Sequence, residues 1–184
     1  MSDSLHDRGQ AIEDVFFTAR DQSLIQKLKQ ELANSEAREA MATASGINND
    51  RVLDSLIECG ITSASMASVA LIPLVAVAWA DNKMEANERE AILKAASVAG
   101  VVEGSASYQA MSLWLESRPD ESLTEAWKNY MGALKESLDP PAFNQLKAHI
   151  IKRAENVAQS AGGFLGLGNK VSDSERKTID ELAS

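Results

Sequence analysis

Cysteine is nearly absent from this 184-residue chain. Cys59 is the only one, which excludes an intramolecular disulfide and any cysteine-rich zinc site. In the apolar context LIECG it reads as a small core residue. Histidine is almost as scarce, with only His6 and His149, and no HExxH, CxxC or GxSxG occurs. No base–nucleophile pair is visible, so the sequence reads as non-enzymatic. Excess positive charge is missing too: 18 Lys and Arg stand against 27 Asp and Glu, a net charge of −9. Without a basic field to displace phosphate counterions, nucleic acid is not an expected partner. Sustained alternation of apolar and polar residues is also missing, which argues against strands. The opening MSDSLHDRGQ has neither a basic n-region nor an apolar h-region, so no signal peptide is expected and the setting reads as cytoplasmic.

Hydrophobic residues, by contrast, make up 45% of the chain, enough for a core that needs no covalent staple. Residues 8–42 carry Ile12, Phe16, Leu24, Leu28 and Leu32 at helical spacing, an amphipathic helix. Asn49 or Asp50 caps DRVLDSLIEC, which stops at Gly60. Residues 61–80, ITSASMASVALIPLVAVAWA, are uncharged. That is long enough to cross a bilayer, but Pro73 interrupts the stretch and no basic flank follows. A buried central helix with a kink or fresh start at Pro73 is therefore predicted. Further helices follow: EREAILKAASVAG stopping at Gly100, SASYQAMSLWLESR closed by Pro119, and a segment capped by Asp120. One more starts at Asp139-Pro140-Pro141 and ends at Gly162-Gly163, and SDSERKTIDELA is the last. The fold class is all-α. Trp79, Trp114, Trp127, Tyr108 and Tyr130 fall within apolar helical patterns and read as core anchors.

An internal repeat lies in this pattern. NKMEANEREAILKAA from Asn82 aligns with NKVSDSERKTIDELA from Asn169 at an offset of 87, with Asn, Lys, Glu, Arg and Ile identical. A duplicated helix–turn–helix unit is the expected meaning. In the second copy, Ser172 to Glu175 is a capping box, with Val171 as its hydrophobic staple. Glu175 is then architectural, and so by analogy is Glu88. The first copy departs from this: Glu85 stands in the place of Ser172, and Asp81 in that of Gly168. Glutamate caps a helix poorly, and an aspartate at a helix C-terminus faces the negative end of the dipole. Asp81 and Glu85 are therefore acids that capping does not require, and Lys83 or Arg89 could offset them.

Asp81, Asn82 and Glu88 place oxygen ligands around one turn, which suits a hard divalent cation. The EF-hand pattern fails, because the third, sixth and twelfth positions from Asp81 are Lys83, Ala86 and Ile92. GGFLGLGNK has the glycine spacing of a phosphate loop at Gly163 and Gly168, but Asn169 precedes Lys170 and no strand leads in. It reads instead as an apolar-tipped loop, with Phe164, Leu165 and Leu167 available to a partner.

AWADNKMEANEREAIL resembles the signature of the tellurite-resistance TerB-like proteins, in which a helix ends in Ala-Asp-Gly and a glutamate opens the next. Ala80, Asp81, Met84 and Glu88 match, and Asn82 stands in the glycine's place. SAGGFLGLGNKVSDSERKTIDEL is similar to the second half of such proteins. The resemblance implies a helical bundle of two related halves over 61–184, with residues 1–60 as a helical extension. It further implies no catalysis, an acidic surface that binds divalent metal, and roles in stress response or membrane-linked complexes. The metal ligands it implies are Asp81 and Glu88, with Glu175 from the second motif; Asn82 and Glu85 join them on the oxygen chemistry of the turn itself. The expected cofactor is a weakly held Ca²⁺ or Mg²⁺, and the expected partner is a protein, alone or within a membrane-associated complex. The alternative is a protein-interaction module without metal, docking through the N-terminal helix or the Gly-rich loop.

Overall fold

In the computed structural model the described residues are 30–31, 33–161 and 171–183. The expected ligand Asn82 lies among them, whereas Ile12, Phe16, Leu24, Leu28 and Leu32 and the 162–170 loop lie outside. The chain divides into two units, Met1–Glu39 and Ala40–Ser184. In the first, residues 30–31 and 33–39 are helical, and Gln30 donates to Asn34 at 3.0 Å one turn on.

Every described element of the second unit is helical. Residues 40–45 form α1. Then come α2 (Asp50–Glu58), a 3-10 helix (Ser63–Leu71), α3 (Ile72–Ala78), α4 (Ala86–Val98), α5 (Ala106–Glu116), α6 (Glu121–Ser137), α7 (Pro140–Ala161) and α8 (Asp173–Ala183). The sequence sets most of these boundaries through caps. Asn49, Ser105 and Asp120 each accept a backbone N–H from the first turn of the helix they open. Gly60 and Gly100 take positive φ just past α2 and α4, the conformation that ends a helix cheaply. Residues 40–60 belong to the same unit as the repeat, and α2 packs on α6.

The uncharged stretch is not one helix. Thr62 and Ser65 form a capping box, and Ser68 Oγ donates to the Ser65 carbonyl at 2.7 Å. Such three-back bonding accompanies the tighter 3-10 winding of this Ser- and Ala-rich segment. Pro73 lacks an N–H and its ring would collide with the Val69 carbonyl in a continuous α-helix, so α3 starts afresh with Pro73 in its first turn. Among the described residues no single helix is long and apolar enough to cross a membrane. Leu71, Ile72, Leu74, Val75 and Val77 are all buried in the core.

Around α3 the repeat takes spatial form. α3 packs against both α7 and α8, and α7 packs against both α3 and α4. Since α3 leads into the first junction and α7 into the second, each entering helix touches the other copy's departing helix. This reciprocity is what a two-fold relation between duplicated units produces.

Candidate functional site

At the first junction α3 unwinds through Trp79, whose amide still bonds the Val75 carbonyl, and Trp79 Nε1 donates to the Trp114 carbonyl at 2.8 Å. Asn82 then takes φ +67°, a left-handed turn that asparagine tolerates better than most residues. This explains how it fills the glycine's place. Asp81 is exposed, and its Oδ1 accepts the Lys83 amide at 2.9 Å, closing the turn. Arg118, from the segment after α5, donates to Asn82 Oδ1. Met84 packs on the core ahead of α4. Glu85 is the extended N-cap, and Glu88 Oε2 accepts the Glu85 amide at 2.8 Å.

The second junction is built alike. Ser172 Oγ accepts the Glu175 amide at 3.2 Å, and Glu175 Oε2 accepts the Ser172 amide at 2.6 Å. This is the reciprocal box its sequence predicts. Val171 is half-buried against the core, as a staple should be.

Both capping glutamates are removed from water, Glu88 at 3% exposure and Glu175 at 5%. They also lie within electrostatic reach of each other. Burial pushes the Glu88 carboxyl up to about 7; the Glu85 amide opposes that rise, while the charges of Glu175, Glu85 and Asp81 add to it. Glu175 Oε1 is buried without a hydrogen-bond partner. An orphan buried carboxylate oxygen is costly, and here it sits within the field of a second acid.

The five sequence-predicted ligands thus divide. Glu88 and Glu175 are each buried and within electrostatic reach of each other, and each spends one oxygen on a cap. Asp81 and Glu85 are exposed at its edge, and Asn82 is engaged by Arg118. Among the described residues no group of three or more His, Cys, Asp or Glu is arranged to hold a metal ion. A caged Ca²⁺ needs six or more oxygens and does not fit this set. A proton fits, as does a largely hydrated divalent ion held through one or two carboxylates, the manner in which Mg²⁺ is usually bound.

Sequence reasoning missed two features here. The cation that reaches the junction is Arg118, 36 residues away, rather than Lys83 or Arg89, and no local pattern signals it. The approach of Glu88 to Glu175 had a signal, since the two align in the repeat, but the alignment does not say that the copies meet. Elsewhere, Cys59 is half-buried and burial raises its thiol, with a weak 3.9 Å contact to Ser122, so it is not an activated nucleophile. His149 is exposed on α7. Compared with protein-family models, curated proteins and solved structures, the chain matches none, so its function has to be argued from this geometry.

Proposed function

We propose that the protein is a non-enzymatic, TerB-like helical scaffold whose two helix–turn–helix junctions respond to cations at the Glu88–Glu175 region. The observation that carries this reading is the buried, unpartnered Glu175 Oε1 within electrostatic reach of a second buried acid, Glu88. Two glutamates from duplicated units, removed from water and repelling each other, are relieved by any cation that reaches them. Asp81 and Glu85 add negative potential at the exposed side. Binding there favours the state in which the two repeat copies are packed together, and so couples cation level to the shape a partner meets. The interaction module without metal is the competing reading; of its docking elements, the N-terminal helix falls within the described residues only from residue 30 on, apart from residue 32, and residues 162–170 fall outside them.

The test is a Ca²⁺ and Mg²⁺ titration of the full chain at pH 8, followed by amide NMR. Shifts are expected at residues 81–88 and 171–176 together, because the ion bridges both junctions. Glu175→Gln keeps a cap acceptor but loses a charge, and should abolish the response. Signals that stay still at millimolar cation would end the metal reading.

A further inference from the structure

Helices α6, α7 and α8 enclose an open cleft of about 290 Å³. Its floor is apolar, built from Trp127, Met131 and Phe143, and three lysines line it: Lys128 and Lys135 from α6 and Lys147 from α7. On a chain of net charge −9 this is a local positive surface. Lys128 and Lys135 are seven residues apart and so occupy one side of their helix. None of the three is in an ion pair among the described residues. The one acid on the cleft, Glu181, has Lys177 at 3.8 Å as its own partner.

Two further observations point to an occupant. Gly132 lines the cleft in the middle of α6, where glycine costs about 1 kcal/mol relative to alanine. No packing requires it, because a Cβ there would meet nothing within 4 Å. What the missing side chain does is leave the cleft open beside the lysines. Across Trp127 and Met131, which line both spaces, lies a second cleft of about 360 Å³, lined by aliphatic groups including Leu146 and Ile150. Of the two clefts that the nearly buried Trp127 and Met131 separate, one offers positive charge beside aromatic carbon and the other aliphatic carbon.

We infer that this α6–α7 surface binds an anionic amphiphile, a fatty carboxylate, with its headgroup among Lys128, Lys135 and Lys147 and its chain seated in the same cleft against Trp127, Met131 and Phe143. Charge complementarity selects the carboxylate, and the apolar floor selects the chain. The size of each cleft is near the lower end of small-molecule sites, about 300 Å³, so the ligand is a single chain.

The experiment is calorimetric titration of the full-length protein with octanoate, octanol and octyltrimethylammonium, each kept below micelle formation. Saturable one-to-one binding of octanoate is expected, with octanol weaker and the cation not binding. Lys135→Gln and Lys147→Gln should each weaken octanoate about fivefold, the effect of one partly exposed charge pair. Gly132→Leu fills the cleft while improving helix propensity, so it should raise the melting temperature and abolish binding. Octyltrimethylammonium binding as well as octanoate, or Gly132→Leu binding undiminished, would overturn the assignment. So would no octanoate binding at all.

Discussion

Glu88 has two roles that conflict. As a cap it must be near the Glu85 amide, and as a buried acid beside Glu175 it resists ionisation. Its folded-state pKa of about 7 lies above the ordinary 4.5, so the folded protein binds this proton more tightly than the unfolded chain does. The stability this contributes is fully present below about pH 4.5 and is lost as pH rises through about 7, a change on the order of 3 kcal/mol at most. Glu88→Gln keeps an acceptor for the Glu85 amide, yet cannot ionise. The variant should be more stable than the natural protein at pH 8 by roughly 1–3 kcal/mol and close to it at pH 5. Thermal melts at the two pH values measure this, and equal pH dependence in both proteins would remove Glu88 as the responsible group.

Among the helices, the two junctions offer a controlled comparison. Ser172 caps α8 with its hydroxyl, whereas Glu85 occupies the same place before α4. Ser172→Ala should destabilise the protein by about 1 kcal/mol, the usual value of a serine cap, read as a lower urea midpoint at unchanged slope. Glu85→Ser installs the better cap and removes one of the acids raising Glu88, so it should stabilise by a similar amount. A loss of stability in Glu85→Ser would mean that the glutamate makes a contact beyond capping. The same scale shows how much was legible. Asn49, Asp120, Ser172 and the glycines after α2 and α4 act within one turn, so their residue types announce the element ends. The Ser63–Leu71 segment was not legible as a 3-10 helix. Its composition suits an α-helix equally well, and the winding follows from serine back-bonding and the restart imposed by Pro73.

In the molecule as a whole, α3 is the element that joins the copies, since it touches both α7 and α8. Leu74, at its centre, is fully buried. Leu74→Ala removes buried methyl groups and leaves a cavity where both repeat copies meet, at a cost of about 2–5 kcal/mol. Because the copies share this core, Trp fluorescence and helical circular dichroism should report one coincident, earlier transition. Two separate transitions would show that the copies fold independently and that the reciprocal packing is not what stabilises them.

By itself the sequence determined the all-helical class, most of the helix ends, a break at Pro73 and the internal repeat, because each depends on residues within a few positions of one another or on likeness along the chain. It also singled out Glu88 and Glu175 as caps. Only the tertiary structure decided that these two caps are buried within reach of each other, that Asn82 receives Arg118, and that Lys128, Lys135 and Lys147 line one apolar cleft. Each of those facts joins residues from different helices. The packing of α3, α4, α7 and α8 fixes the first, and the α6–α7–α8 arrangement fixes the last. Burial and charge act through space, and the spacing of residues along the chain does not record which surfaces meet.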